Sequence, residues 1–88
     1  MEHKTFGELT VLLNDAKRKV EVGAKYLHYK NNEKVYLVTG LSILEDNDQV
    51  AVKYAPESDP GVEFIRPLSS WLEIVEQDGK AVPRFSKI

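Results

Sequence analysis

The chain has 88 residues, 42% of them hydrophobic and 30% charged, a balance that fits one small globular domain and excludes a disordered tail. It contains no cysteine, which excludes disulfides, thiolate zinc sites and a cysteine nucleophile. Twelve Lys and Arg against fourteen Asp and Glu leave a net charge of -2, which counts against a general nucleic-acid coat.

Residues 5–21 read as an amphipathic helix. Thr5 stands three residues before Glu8, the spacing of a capping box. Phe6, Leu9, Leu13, Ala16 and Val20 then form one apolar stripe, widened by Leu12. Lys17, Arg18 and Lys19 occupy the last turns, where cations complement the helix dipole, and their plain role is a solvated helix end. His3 precedes the helix in a terminus expected to fray.

After Gly23 the pattern changes from helical to alternating. Residues 24–29 form a first strand, Asn31 and Asn32 a turn, and residues 35–39 a second strand closed by Gly40. Glu45 to Asp48 is a polar turn; it lacks the spacing of a calcium loop. Residues 49–54 form a third strand, 56–61 a loop, and 62–66 a fourth strand ended by Pro67. Residues 68–72 suit a single 3₁₀ turn. Asp78-Gly79 between two β-prone runs predicts a hairpin, and Pro83 makes the last segment an edge or tail.

The predicted class is therefore mainly β with one N-terminal helix. Five or six short strands in residues 22–88 bury both sheet faces most economically as a small, partly open, SH3-like barrel, with the helix packed outside it. No second domain or repeat is visible.

The run Gly23-x-x-Tyr26-x-His28-Tyr29-Lys30 resembles the opening of a bacterial family called domain of unknown function 1653. So do Tyr36-x-Val38-x-Gly40, Val52-x-Tyr54, Arg66-Pro67-Leu68, Asp78-Gly79-Lys80 and Val82-Pro83-Arg84-Phe85. The resemblance spans residues 22 to 85 and implies a small, β-rich, cytoplasmic bacterial protein with no established activity. The chain departs from the pattern at Asn31-Asn32-Glu33-Lys34, at Leu44 to Asn47, at Phe64 and at Trp71.

Four residues stand out as a ligand site. His28 shares a strand face with Tyr26, and its imidazole titrates near neutral pH. The plainer role is a half-buried ring bonded to a neighbouring carbonyl. Arg66 presents a planar fork that suits a carboxylate or phosphate. Its plainer roles are an ion pair with a local acid or stacking on an aromatic ring. Tyr26, Tyr36 and Tyr54 are expected to bring hydroxyls toward His28 and Arg66, whereas Phe6 and Trp71 are expected to fill the core.

The favoured function is a small binding module. A polar-aromatic site of Tyr26, His28, Tyr36 and Arg66 would take a small anionic ligand or a peptide. An assembly domain acting through the N-terminal helix and barrel surface, with a protein partner or a second copy, is the alternative. Single-stranded nucleic-acid binding comes third, against the net charge. No nucleophile elbow, Walker loop, dinucleotide fingerprint or HExxH occurs, and no catalytic residue, cofactor or metal is assigned. The reading leans away from an enzyme. No apolar run approaches the roughly 20 residues of a membrane span, and no signal-peptide core is present, so a cytoplasmic location is expected.

Overall fold

A computed structural model describes residues 3–88. The chain begins with helix α1 (Phe6–Lys19). Its capping box is complete: the Glu8 N–H donates to Thr5 Oγ1 at 3.1 Å, and the Thr5 N–H donates to Glu8 Oε1 at 2.9 Å. Four strands follow, β1 (Lys25–His28), β2 (Asn31–Leu44), β3 (Gln49–Pro56) and β4 (Phe64–Pro67). The helical turn α2 (Leu68–Trp71) leads to β5 (Ile74–Gln77), β6 (Lys80–Pro83) and β7 (Phe85–Lys87).

One sheet has the order β4-β3-β2-β1-β7, and β5 and β6 form a separate hairpin. All pairings are antiparallel. The first four strands form a meander, and β7 returns from the end of the chain to cover the outer edge of β1. β4 and β7 are both edge strands, so the sheet does not close into a barrel. The fold is mainly β with one N-terminal helix, as expected, and the partly open barrel takes the form of an open five-stranded sheet with a separate hairpin.

Several boundaries differ from expectation. The described residues form seven strands rather than five or six. Asn31 and Asn32 are not a turn; His28 pairs with Asn31, and the reversal falls at Tyr29 and Lys30. Gly40 does not end a strand but lies inside β2, where the register slips between Val38 and Gly40. That one-residue bulge changes the parity of the strand, so Val38 opposite Tyr54 and Leu41 opposite Val52 both reach the core. A Cβ at position 40 would approach Lys53 Cε to 3.1 Å. The fourth strand begins at Phe64 rather than Val62. Residues 68–71 form one α-helical turn rather than a 3₁₀ turn, because the Leu72 N–H reaches Leu68 O, four residues back.

The core gathers Val20, Tyr26, Val38, Val52, Tyr54, Trp71 and Phe85. Val20, Val38 and Val52 are fully buried, each stabilising by about 1.5–3 kcal/mol. α1 contributes only its later turns. Ala16 and Val20 are buried, Leu9 and Leu13 are half-covered, and Phe6 is 89% exposed. The expectation that Phe6 fills the core is therefore wrong: cover on the helix begins at Leu9, and the first turn is left to solvent. The terminus ahead of it is tied down. His3 Nδ1 lies 2.9 Å from Asp48 Oδ1, and the Lys4 N–H donates to Asp48 Oδ2 at 2.7 Å.

Candidate functional site

The best-defined cluster of polar and aromatic side chains surrounds the Phe85 ring. β7 places Phe85 opposite His28 on β1. The ring stacks on Trp71 with centroids 3.7 Å apart and planes within 4°. Tyr54 and Tyr36 meet it edge-on at 5.6 Å and 6.3 Å, and His28 at 5.0 Å. The Arg66 guanidinium lies 5.6 Å from its centroid, within cation–π range.

Arg66 enters this cluster because β4 pairs it with Val52, and the chain then turns at Pro67 into α2. One helical turn brings Ser70 back beneath it. Arg66 Nη1 donates to Ser70 Oγ at 2.9 Å, and Nε makes a long contact of 3.4 Å with the Tyr54 hydroxyl. Nη2 donates to no described residue, and among the described residues no carboxylate pairs with Arg66. Of its two plainer roles, stacking is realised and the ion pair is not. The nearby Arg84 differs: it donates to Glu73 at 2.9 Å and to Ser70 O at 3.0 Å.

His28 is half-buried. Its Nδ1 accepts the Lys30 N–H at 3.2 Å, so the neutral ring carries its proton on Nε2. The bond expected to a carbonyl is instead one received from a backbone N–H. Burial, then the charge of Arg66, then Arg84 and Lys30, hold its pKa below the ordinary 6.5. Three cations thus raise the local potential in a chain whose net charge is -2. His28 also lines a cleft of about 400 Å³ with Tyr29, Lys30, Asn32, Gln77 and Val82, between β1 and the β5–β6 hairpin.

Of the four residues singled out in the sequence, His28, Tyr36 and Arg66 converge on Phe85. Tyr26 does not join them. Its ring is buried against Trp71 at 5.3 Å, and its hydroxyl accepts the Glu21 N–H at 2.9 Å. Tyr54 supplies the hydroxyl beside Arg66. Ser70 was missed, although its place four residues after Arg66, across a helix-starting Pro67, was a readable signal. Among the described residues, no three His, Asp or Glu side chains gather as a metal site.

A family model described as protein of unknown function (DUF1653) matches residues 24–87. Among solved structures, the chain is similar to a protein from Bordetella bronchiseptica described as belonging to DUF1653. The two are 31% identical, the match covers 75% of this chain and 85% of that one, and the TM-score is 0.63. No curated protein matches the chain. The matched family span takes in every strand and the whole Phe85 cluster, and it begins after α1.

Proposed function

The chain belongs to the DUF1653 family, proteins of unknown function, and on that premise we propose that it is a small binding module whose anion site is Arg66, flanked by Tyr36 and His28. The observation that carries this reading is the Arg66 guanidinium. It is half-buried and oriented by Ser70, Tyr54 and the Phe85 face, and it has no acidic partner among the described residues. A guanidinium fixed in this way loses little freedom on meeting a carboxylate or phosphate, and its free edge suits a charge-assisted hydrogen bond. Protonation of His28 would add a second positive charge, so anion affinity rises as pH falls through the His28 pKa.

The test is a titration of ¹⁵N-labelled protein with acetate and with inorganic phosphate, followed at backbone amides and at the Arg66 Nε–H. Saturable shifts at Arg66, Ser70 and Tyr36 are expected, stronger at low pH and absent in Arg66→Gln. No shift up to about 50 mM, where a millimolar site is saturated, would sink the reading.

One observation favours assembly as a second reading: Phe6 is 89% exposed on a helix that precedes the family-matched span. Sedimentation of the intact chain against Phe6→Ser tests it. Self-association that the substitution abolishes would support this reading, and a monomer at millimolar concentration would end it.

A further inference from the structure

The sheet has two open edges with unlike chemistry. β7 turns Phe85 into the core and pairs Lys87 with Glu21 at 3.0 Å, the short and charged character of a guarded edge. β4 has no lysine, and it exposes Phe64 and Ile65 at 44% and 59%, next to Val62 at 52%. Its backbone parity follows from the prolines. Pro67 has no N–H, so its pairing with Ala51 is of the non-hydrogen-bonded kind. Alternation then directs the backbone groups of Phe64 and Arg66 toward β3 and turns the N–H and C=O of Ile65 outward. The same parity follows on the other side of β3, where Pro56 pairs with Tyr36. A free donor, a free acceptor and exposed apolar side chains thus lie beside the unpaired Arg66 guanidinium.

We propose that β4 is a docking edge for an extended peptide that ends in a free α-carboxylate. The peptide runs parallel to β4, exchanges hydrogen bonds with Ile65, lays an apolar side chain on Phe64 and delivers its carboxylate to Arg66. Strand addition supplies main-chain bonds, and a charged anchor at one end fixes direction and register. The proposal rests on the anion site at Arg66. Charge complementarity selects this occupant over a second copy. Antiparallel pairing of two β4 strands about Ile65 would set Arg66 opposite Phe64 of the copy and leave both guanidinium groups without a carboxylate.

The probes are the peptide acetyl-SVTVV with a free carboxylate, the same peptide amidated at its C-terminus, and acetate. Each is titrated into the ¹⁵N-labelled chain. The acid peptide is expected to bind at least about tenfold tighter than acetate and to shift the Ile65 amide as well as Arg66. Amidation and Arg66→Gln should each cost about tenfold or more. Ile65→Pro removes the outward N–H without breaking a bond to β3, and Ile65→Ala controls for the side chain that is lost with it; the proline variant should weaken the peptide more than the alanine variant, and both should spare acetate. If acetate shifts Arg66 but the peptide binds no tighter, or the amidated peptide binds as well, the docking edge is wrong and the anion site stands. If neither acetate nor peptide shifts Arg66, both fall. Concentration-dependent shifts along β4 without any peptide would assign the edge to a second copy and overturn the proposal.

Discussion

Phe85→Ala is the most informative substitution in the core. Phe85 is buried, stacks on Trp71 at 3.7 Å and touches Tyr54, Tyr36 and His28 edge-on. Truncating a buried phenylalanine costs about 3–5 kcal/mol, and the aromatic contacts place this site toward the upper end. At about 0.05–0.15 kcal/mol per residue, a chain of this length has about 4–13 kcal/mol in total. At the lower end of that range the variant is unfolded, and at the upper end it keeps more than half of its stability. Trp71 is the single tryptophan and reports the stack directly by fluorescence during urea unfolding. With a slope of about 1 kcal/mol/M, the midpoint should fall by about 3–5 M, or the variant should be unfolded without urea. Phe85→Leu retains most of the volume and should lose less than about 1.5 kcal/mol from packing. A loss below about 1 kcal/mol in Phe85→Ala, with Trp71 emission unchanged, would refute the view that this ring organises the cluster.

Thr5→Ala removes the side-chain half of the capping box and should cost about 1 kcal/mol, read by urea unfolding followed by circular dichroism. The His28 pKa lies below 6.5 through burial first and the charge of Arg66 second, so Arg66→Gln should raise it in an NMR titration of the ring protons. Because the folded pKa is depressed, the unfolded chain binds the proton more readily. His28 therefore lowers stability as pH falls below 6.5, with the penalty complete below its folded pKa. The His3–Asp48 contact acts with the opposite sign at its histidine. Hydrogen bonding and charge from Asp48 raise the His3 pKa, so its contribution is present below 6.5 and is lost as pH rises through the raised value. The Lys4 N–H, then His3, lower the Asp48 pKa, so its contribution is present above 3.8 and is lost as pH falls through the depressed value. Asp48→Asn should return His3 to an ordinary titration, and an unchanged His3 curve would show that the contact does not form.

Features that depend on local chemistry were legible. The Thr5 and Glu8 pair specified the helix start, Asp78-Gly79 the hairpin, and the alternation of Val50, Val52 and Tyr54 one face of β3, although Ala51 and Ala55 on the other face are buried too. Features that depend on a distant partner were not. Asn31 carries turn propensity, yet it pairs with His28 at the head of β2, while Asn32 to Lys34 fall in the irregularity between that pair and Leu27–Val35. Gly40 looks like a terminator, and only the register with β3 makes it part of a bulge. Phe6 fits the apolar stripe, but the stripe cannot reveal which of its turns the rest of the chain covers. His28, Tyr36 and Arg66 were legible as residue types suited to an anion. Their convergence was not, because it depends on β7 returning Phe85 to β1 from the far end of the chain. Tyr26 shows the same limit: sharing a strand face with His28 did not keep its hydroxyl from the Glu21 N–H.

The pairing of Tyr26 with Lys87 joins positions near opposite ends of the chain, while β2 and β3 meet through a short turn. Loop-closure entropy therefore separates these contacts in time. The β2–β3 ribbon can form early from local contacts, whereas β7 must await most of the remaining structure. Phe85 substitutions should consequently accelerate unfolding far more than they slow folding, with φ-values near zero, while changes at Val38 or Val52 should slow folding. On this order of events, the surroundings of Arg66 form in the last step of folding. Partial opening at β7 would dismantle the cluster while leaving the meander intact, and native-state hydrogen exchange would show it as lower protection at Leu27, Ser86 and Ile88, whose N–H groups face the β1–β7 seam, than along β2 and β3.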